Sequence, residues 1–197
     1  MPNVVVIAGP NGAGKSTVAP ALLAEHLGIG EFVNADVIAH GLSAFDPERA
    51  AIQAGRVMLA RLRELSARRA DFAFETTLAS RTFVPWLAEL RESGYRVTLL
   101  YVWVPNPELS VARVAHRVSS GGHHVESDIV RRRYLAGLRN FFRMYRPIAD
   151  SWTMYDNSLV GNLRPVAVGS QEAVSHVLIP ATWDTIQRIA DDDSGNE

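Results

Sequence analysis

Short apolar runs rich in β-branched residues alternate along the chain with segments whose apolar positions recur every three to four residues. The first run is Val4-Val5-Val6-Ile7-Ala8, and residues 16–27 follow it with Val18, Ala19, Leu22, Leu23 and Leu27 at helical spacing. Gly28-Ile29-Gly30 breaks that helix, and residues 31–34 read as a short second strand that ends at Asp36. Asp46-Pro47-Glu48 has the features of a helix start: a cap, a proline at the first helical position and an early acid. Ile52, Met58, Leu59, Leu62 and Leu65 then line one face up to Arg68-Arg69. Residues 71–74 form a third strand leading into Glu75-Thr76-Thr77. Ser80 can cap a helix carrying Phe83, Trp86, Leu87 and Leu90, closed by Gly94. Residues 96–104 alternate less than a one-sided strand should, which predicts a central strand buried on both faces.

Pro105-Asn106-Pro107 stops this strand, and two helical stretches follow, separated by Gly121-Gly122-His123-His124. The first holds Arg113 and Arg117 on one face, four residues apart. The second starts near Ser127-Asp128, carries Arg131-Arg132-Arg133 and the apolar stripe Tyr134, Leu138, Phe141 and Tyr145, and ends at Pro147. Residues 152–155 and 165–168 are the last predicted strands, around a turn at Asp156-Asn157-Ser158, and residues 182–190 the last helix. The acidic tail 191–197 is expected to be frayed and disordered. The alternation predicts an α/β fold in one domain over residues 1–190. Its mainly parallel central sheet has about five or six strands, with helices on both faces and a helical lid over residues 106–146.

Composition narrows the chemistry. The net charge of −1 provides no basic field for nucleic acid or an anionic membrane. Zero cysteines exclude disulfides, thiolate metal sites and cysteine nucleophiles. No apolar run approaches a bilayer-spanning length, and the N-terminus has neither a basic leader nor an apolar run long enough for a secretory signal. A cytoplasmic location is therefore expected.

Between the first strand and its helix stands Gly9-Pro10-Asn11-Gly12-Ala13-Gly14-Lys15-Ser16-Thr17, which fits G-x-x-x-x-G-K-[ST] at every fixed position. Glycines let the backbone wrap an anion and turn N–H groups inward, and the helix start adds donors and a positive dipole end. Lys15, the only lysine in the chain, supplies a point charge to the β- and γ-phosphates, and the Ser16 hydroxyl is a Mg²⁺ ligand. The flanking strand and helix are the context that makes this a phosphate-binding loop (P-loop), so ATP and Mg²⁺ are the expected ligands of a P-loop kinase-like fold.

In open α/β sheets ligands sit at the carboxyl ends of the strands, so the polar residues there are informative. They are Asn34 and Asp36, then Glu75, Thr76 and Thr77, then Asn106. In phosphoryl transfer one acid can take a proton from the acceptor hydroxyl while another holds the metal; the pattern leaves open which of Asp36 and Glu75 does which. Guanidinium forks stabilise the equatorial oxygens of a transferring phosphoryl group, but Arg113, Arg117, Arg131, Arg132 and Arg133 cannot all point inward: most of the 131–133 triple is expected on a solvated helix face, with one or two arginines reaching phosphate from a lid hinged at Gly121-Gly122. His123 and His124 lack a metal-ligand spacing and read as lid or hinge residues.

These motifs together resemble the zeta toxin family and its small P-loop relatives. The resemblance rests on residues 9–17, Asn34-Ala35-Asp36, Phe74-Glu75-Thr76-Thr77 and Arg113-Val114-Ala115-His116-Arg117-Val118. It extends to Gly121-Gly122-His123-His124-Val125, Arg131-Arg132-Arg133-Tyr134 and Asp156-Asn157-Ser158. It implies an ATP- and Mg²⁺-dependent kinase acting on a small-molecule acceptor, with the 3′-hydroxyl of UDP-N-acetylglucosamine as the family's better-known target. It makes Asp36 the general base, Asn34, Glu75, Thr76 and Thr77 the substrate-side contacts, and Arg117 with one of Arg131 or Arg132 the phosphate clamps. It also brings in an antitoxin protein as a partner. The chain is short beside the larger toxins, and the Glu-Thr-Thr segment belongs to the small relatives. A nucleotide-dependent switch that acts on a protein partner is the alternative outside the kinases. Nucleic-acid processing, which rests on the arginines alone, is a weaker one.

Overall fold

The structure is a computed structural model, and it describes residues 1–25, 29–44, 46–47, 49–119 and 125–192. Among the described residues seven strands form one sheet. They are β1 (Asn3–Ala8), β2 (Phe32–Val33), β3 (Phe72–Thr76), β4 (Arg96–Trp103), β5 (Ser151–Asp156), β6 (Arg164–Ser170) and β7 (Ala173–Val177), in the order β2-β3-β1-β4-β5-β6-β7. The first five in that order pair in parallel, and β6 and β7 add antiparallel strands at one edge. β4 is central, as its unbroken apolar run predicts, and is buried from Val97 to Trp103.

Alternate residues of β1 divide the core. Val4 and Val6 face the larger half, with Met58, Leu62 and Leu65 of α3 (Ala51–Ala67), Leu87 and Leu90 of α4 (Phe83–Glu92), and Trp183 and Ile186 of α7 (Pro180–Asp191). Val5 and Ile7 face the other half, with Ala19, Leu22 and Leu23 of α1 (Lys15–Glu25) and Tyr134 of α6 (Ser127–Asn140). A π-helical turn, Phe141–Tyr145, and a 3-10 turn, Arg146–Ile148, continue α6, so Pro147 sits inside the last turn rather than ending the helix before it. No helix among the described residues is long and apolar enough to cross a membrane.

Several expectations shift. The sheet has a seventh strand beyond the five or six expected. Every residue of β7 is exposed, so it lacks the apolar signature by which the others are visible. The second strand is only Phe32–Val33, and Asn34 caps a helix, α2 (Ala35–Leu42), that the pattern did not suggest. Asp36 is thus in a first helical turn, not at a strand end. Asp46-Pro47 forms a turn ahead of α3 rather than its first turn: Asp46 Oδ1 accepts from Arg49 N at 3.3 Å, and α3 begins at Ala51. Of the acidic tail, Asp191 closes α7 and Asp192 caps it; residues 193–197 lie outside the described residues. So do Gly121, Gly122, His123 and His124, where the hinge was placed.

Candidate functional site

The carboxyl ends of β1, β2, β3 and β5 converge on one cavity of about 1050 Å³. Asn11, Gly12 and residues 14–17 line one wall, whereas Gly9, Pro10 and Ala13, expected with them, do not line it. Gly9, Gly12 and Gly14 all have positive φ, and a Cβ on Gly14 would stand 2.6 Å from the Asn157 amide nitrogen. Only glycine lets the loop take this shape beneath that side chain. The Asn157 Nδ2 group donates to Ala13 O at 2.7 Å, and Arg113 of α5 (Pro107–Ser119) donates to Asn157 O at 2.9 Å and Ser158 O at 2.8 Å. The turn after β5 therefore braces the loop from the side.

At the helix start, four polar side chains close a knot. Ser16 Oγ donates to Glu75 Oε2 at 2.7 Å, Asn34 Nδ2 donates to the same oxygen at 2.8 Å, and Lys15 Nζ lies 3.5 Å from Glu75 Oε1 and donates to Pro10 O at 2.9 Å. The amide of Asn34 has a defined orientation because its Oδ1 accepts from Asp36 N at 2.8 Å and Val37 N at 3.3 Å, which leaves Nδ2 for Glu75. Asp36 Oδ2 lies 3.7 Å from Arg117 Nη1, linking α2 to α5 across the cavity. Asp36 is about half exposed, whereas the Glu75 and Lys15 side chains are almost closed off from solvent.

The far wall comes from the segment after β3. Thr76 Oγ1 accepts from Leu78 N, and Thr77 Oγ1 accepts from Ala79 N. Leu78 is fully buried at φ 56°. That strained turn is held by α6: Asn140 Nδ2 donates to Leu78 O at 2.7 Å and to Ala79 O at 3.2 Å, and the Tyr145 hydroxyl donates to Ser80 O. Met58 and Phe83 add apolar surface beside them.

Of the expected site residues, the cavity brings together Asn11, Gly12, Gly14, Lys15, Ser16, Thr17, Asn34, Asp36, Glu75, Thr76, Thr77, Arg117 and Arg132. Arg113 and Arg133 line it too. Arg131 does not: its guanidinium is held by Glu108 at 2.9 and 3.0 Å and by Asp128 at 3.0 Å. Asn106 caps α5 through Leu109 N, which makes it a structural end to β4. Asn157 stands in the sequence as part of a turn and of the Asp156-Asn157-Ser158 motif without a site role, although the rule that singles out the other strand ends applies equally to β5. Asn140 and Met58 gave no signal, since each belongs to an ordinary helix pattern.

Ser16 Oγ and Glu75 Oε2 form a pair of hard oxygen donors at the mouth of the loop. No group of three or more His, Cys, Asp or Glu able to hold a metal occurs among the described residues. The pair fits Mg²⁺, which typically takes few protein ligands and fills its shell with phosphate oxygens and water.

A glycine-rich loop between a central parallel strand and a helix, with this strand order, defines a P-loop protein of the kinase-like fold. Residues 4–144 match the model of the AAA domain family, which is most of the chain, and the chain belongs to that family. An uncharacterised protein of Haemophilus influenzae is 31% identical over 126 residues, 64% of this chain and 88% of that protein. Among solved structures, a chain of the AvrRxo1-ORF1:-ORF2 complex with ATP is similar with a TM-score of 0.74 at 18% identity, over 100% of this chain and 66% of that one. The PezAT chromosomal toxin–antitoxin system of Streptococcus pneumoniae is similar at 0.67 and 18% identity, over 96% of this chain and 78% of that one. A gluconokinase from Sinorhizobium meliloti is similar at 0.51 and 17% identity, over 96% of this chain and 94% of that one. This chain spans 63–66% of the length of the AvrRxo1 chains it matches. At these identities the likeness is one of fold.

Proposed function

We propose that this protein is an ATP-dependent kinase that moves the γ-phosphoryl group to a hydroxyl of a small molecule. The observation that carries the reading is the shared cavity. Its volume of about 1050 Å³ has the P-loop on one side and an independent wall of hydroxyls and apolar groups on the other. Single drug-sized ligands occupy pockets of roughly 300–1,000 Å³, so this one has room for a donor and an acceptor side by side.

In this reading Lys15 and the N–H groups of residues 12–17 hold the β- and γ-phosphates, with Arg117 and Arg132 on the transferring group. Glu75 receives Ser16 and Asn34 on one oxygen and Lys15 on the other, an arrangement that supports it as the metal-side acid together with Ser16. Bound there, Mg²⁺ would offset phosphate charge. Asp36, with the longer contact to Arg117, is left to accept the acceptor's proton. The acceptor oxygen forms its bond to the γ-phosphorus as the bond to the β,γ-bridging oxygen breaks, and ADP departs. Thr76 and Thr77 lie on the acceptor side. The resemblance to zeta toxins makes UDP-N-acetylglucosamine the first acceptor to try, and the toxin–antitoxin setting of the PezAT structure makes an antitoxin the first protein partner to test by co-purification.

Asp36→Asn should keep ATP binding and slow transfer by about 10²–10⁴-fold, the usual contribution of a general base. Incubation with γ-labelled ATP and a panel of alcohols and sugar nucleotides, followed by chromatography of the products, reads this directly. Wild-type transfer rates in Asp36→Asn would remove the base assignment. Label appearing only in free phosphate, whatever the acceptor, would instead favour a nucleotide-driven switch.

A further inference from the structure

The acceptor side of the large cavity presents an aromatic ring held in a fixed place. Phe83 opens α4, lines the cavity and is only half-buried. Packed against its ring are Phe74, with centroids 4.9 Å apart, and Trp86, at 6.3 Å. Trp86 in turn meets Phe74 at 6.0 Å and Phe72 at 6.1 Å, and both phenylalanines are fully buried residues of β3. A ring braced by three others has little motion to lose when a ligand settles on it, and that preorganisation favours binding. Met58 of α3 lines the same cavity, and its polarizable thioether adapts to an aromatic neighbour. Ala79 and Ala136 line it too, as short apolar side chains.

The hydroxyls of this wall have partners within their own segment. Thr76 Oγ1 accepts from Leu78 N at 3.2 Å, Thr77 Oγ1 accepts from Ala79 N at 3.3 Å, and Ser80 Oγ shares a hydrogen bond of 2.5 Å with Thr82 Oγ1. Beside Phe83 and Met58 a ligand therefore meets mainly apolar surface, where a charged group would lose its water at a cost. We propose that the acceptor is an uncharged alcohol bearing an aromatic ring, with the ring seated on Phe83 and Met58 and a short arm carrying the hydroxyl to Asp36 in the same cavity. The alcohol oxygen passes its proton to Asp36 as it bonds to the γ-phosphorus, the bond to the β,γ-bridging oxygen breaks, and the products are a phosphate monoester and ADP. This rests on the kinase reading above and narrows its substrate class.

Trp86 allows the site to be read without turnover. The probe is para-nitrobenzyl alcohol, whose ring quenches tryptophan fluorescence, titrated into protein saturated with Mg²⁺ and a non-hydrolysable ATP analogue. Wild type should show saturable quenching that benzyl alcohol reverses and glycerol does not. Trp86→Phe should lose most of the quenching. Phe83→Leu, which keeps an apolar side chain without the ring face, should weaken binding by about threefold to tenfold with analogue affinity unchanged. Absence of saturable quenching, or equal quenching in wild type and both variants, overturns the aromatic site and leaves the kinase reading untouched. With γ-labelled ATP, benzyl alcohol and its para-nitro derivative should take label with kcat/KM about tenfold or more above glycerol, and Phe83→Leu should raise their KM with little change in kcat. Preferential labelling of glycerol or of UDP-N-acetylglucosamine overturns the proposal while the kinase reading stands. Label in no acceptor at all counts against the kinase reading itself.

Discussion

Asn34 uses both ends of one amide. Its oxygen caps α2 through the N–H groups of Asp36 and Val37, and its nitrogen holds the Glu75 carboxylate against Ser16. The proposed base and the proposed metal-side acid are thereby held by the same buried side chain. Two substitutions separate the jobs. Asn34→Ala removes both, and losing the cap alone should cost about 0.5–2 kcal/mol in a denaturant titration. Asn34→Asp keeps an acceptor for the cap but puts a second carboxylate where the donor stood, 2.8 Å from Glu75 Oε2. Two carboxylates at that distance disfavour ionising together, so the pair's proton affinity rises. The Asn34→Asp protein should therefore lose more stability at pH 8 than at pH 5, relative to wild type, and bind Mg-ATP less well at the higher pH. An equal loss at both pH values would mean that the Asn34 nitrogen is not what holds Glu75.

Among the elements, α6 does more than cover the sheet. It carries Arg132 and Arg133 into the cavity, pairs Arg131 outward with Glu108, and presses Gly137 onto the segment after β3, where an added Cβ would stand 2.2 Å from Thr77 O. Gly137→Ala must push that segment or the helix aside. Overpacking of this kind costs about 1–3 kcal/mol. Because the displaced segment belongs to the proposed acceptor wall, the variant should raise KM for the acceptor and leave affinity for an ATP analogue near wild type. A fall in analogue affinity of equal size would show that the donor and acceptor walls move together. The sequence pattern makes α6 visible through Tyr134 and Leu138, and predicts that only one or two of its arginines reach phosphate without saying which. Arg131 is turned outward by Asp128, three residues before it on the same helix, and by Glu108, which sequence spacing alone does not connect to it. The same limit hid α2, whose eight residues are too few to show a period beside the two-residue strand before them. The P-loop was legible because all its parts are contiguous. Its brace was not, since Asn157 is 144 residues from the Ala13 carbonyl it holds.

Across the whole molecule, three buried tyrosines couple the packing on both faces of the sheet to pH. Tyr101 and Tyr145 lie in the larger half of the core and Tyr134 in the smaller, its hydroxyl donating to Val104 O at 2.8 Å. Burial is the main cause that raises all three phenols, Tyr145 to about 12, Tyr134 further, and Tyr101 well above its ordinary value, with the neighbouring Tyr134 adding to the effect on Tyr101. In the unfolded chain each titrates near about pH 10. A group whose folded pKa is raised contributes stability that is whole below the unfolded value and is lost as pH climbs toward the folded one. Between about pH 10 and 12 the folded state holds three protons that the unfolded state releases, and each is worth about 1.4 kcal/mol per pH unit. Stability should therefore fall by roughly 4 kcal/mol per pH unit from these three groups once the unfolded phenols ionise. Denaturant titrations at a series of pH values from 8 to 11.5 measure the slope. Tyr134→Phe loses one hydrogen bond and should start less stable at pH 8, yet its alkaline slope should be shallower by about 1.4 kcal/mol per pH unit, since one proton no longer takes part. A wild-type slope near zero above pH 10 would mean that these hydroxyls reach water in the folded protein, and that the core around β4 is looser than its burial implies.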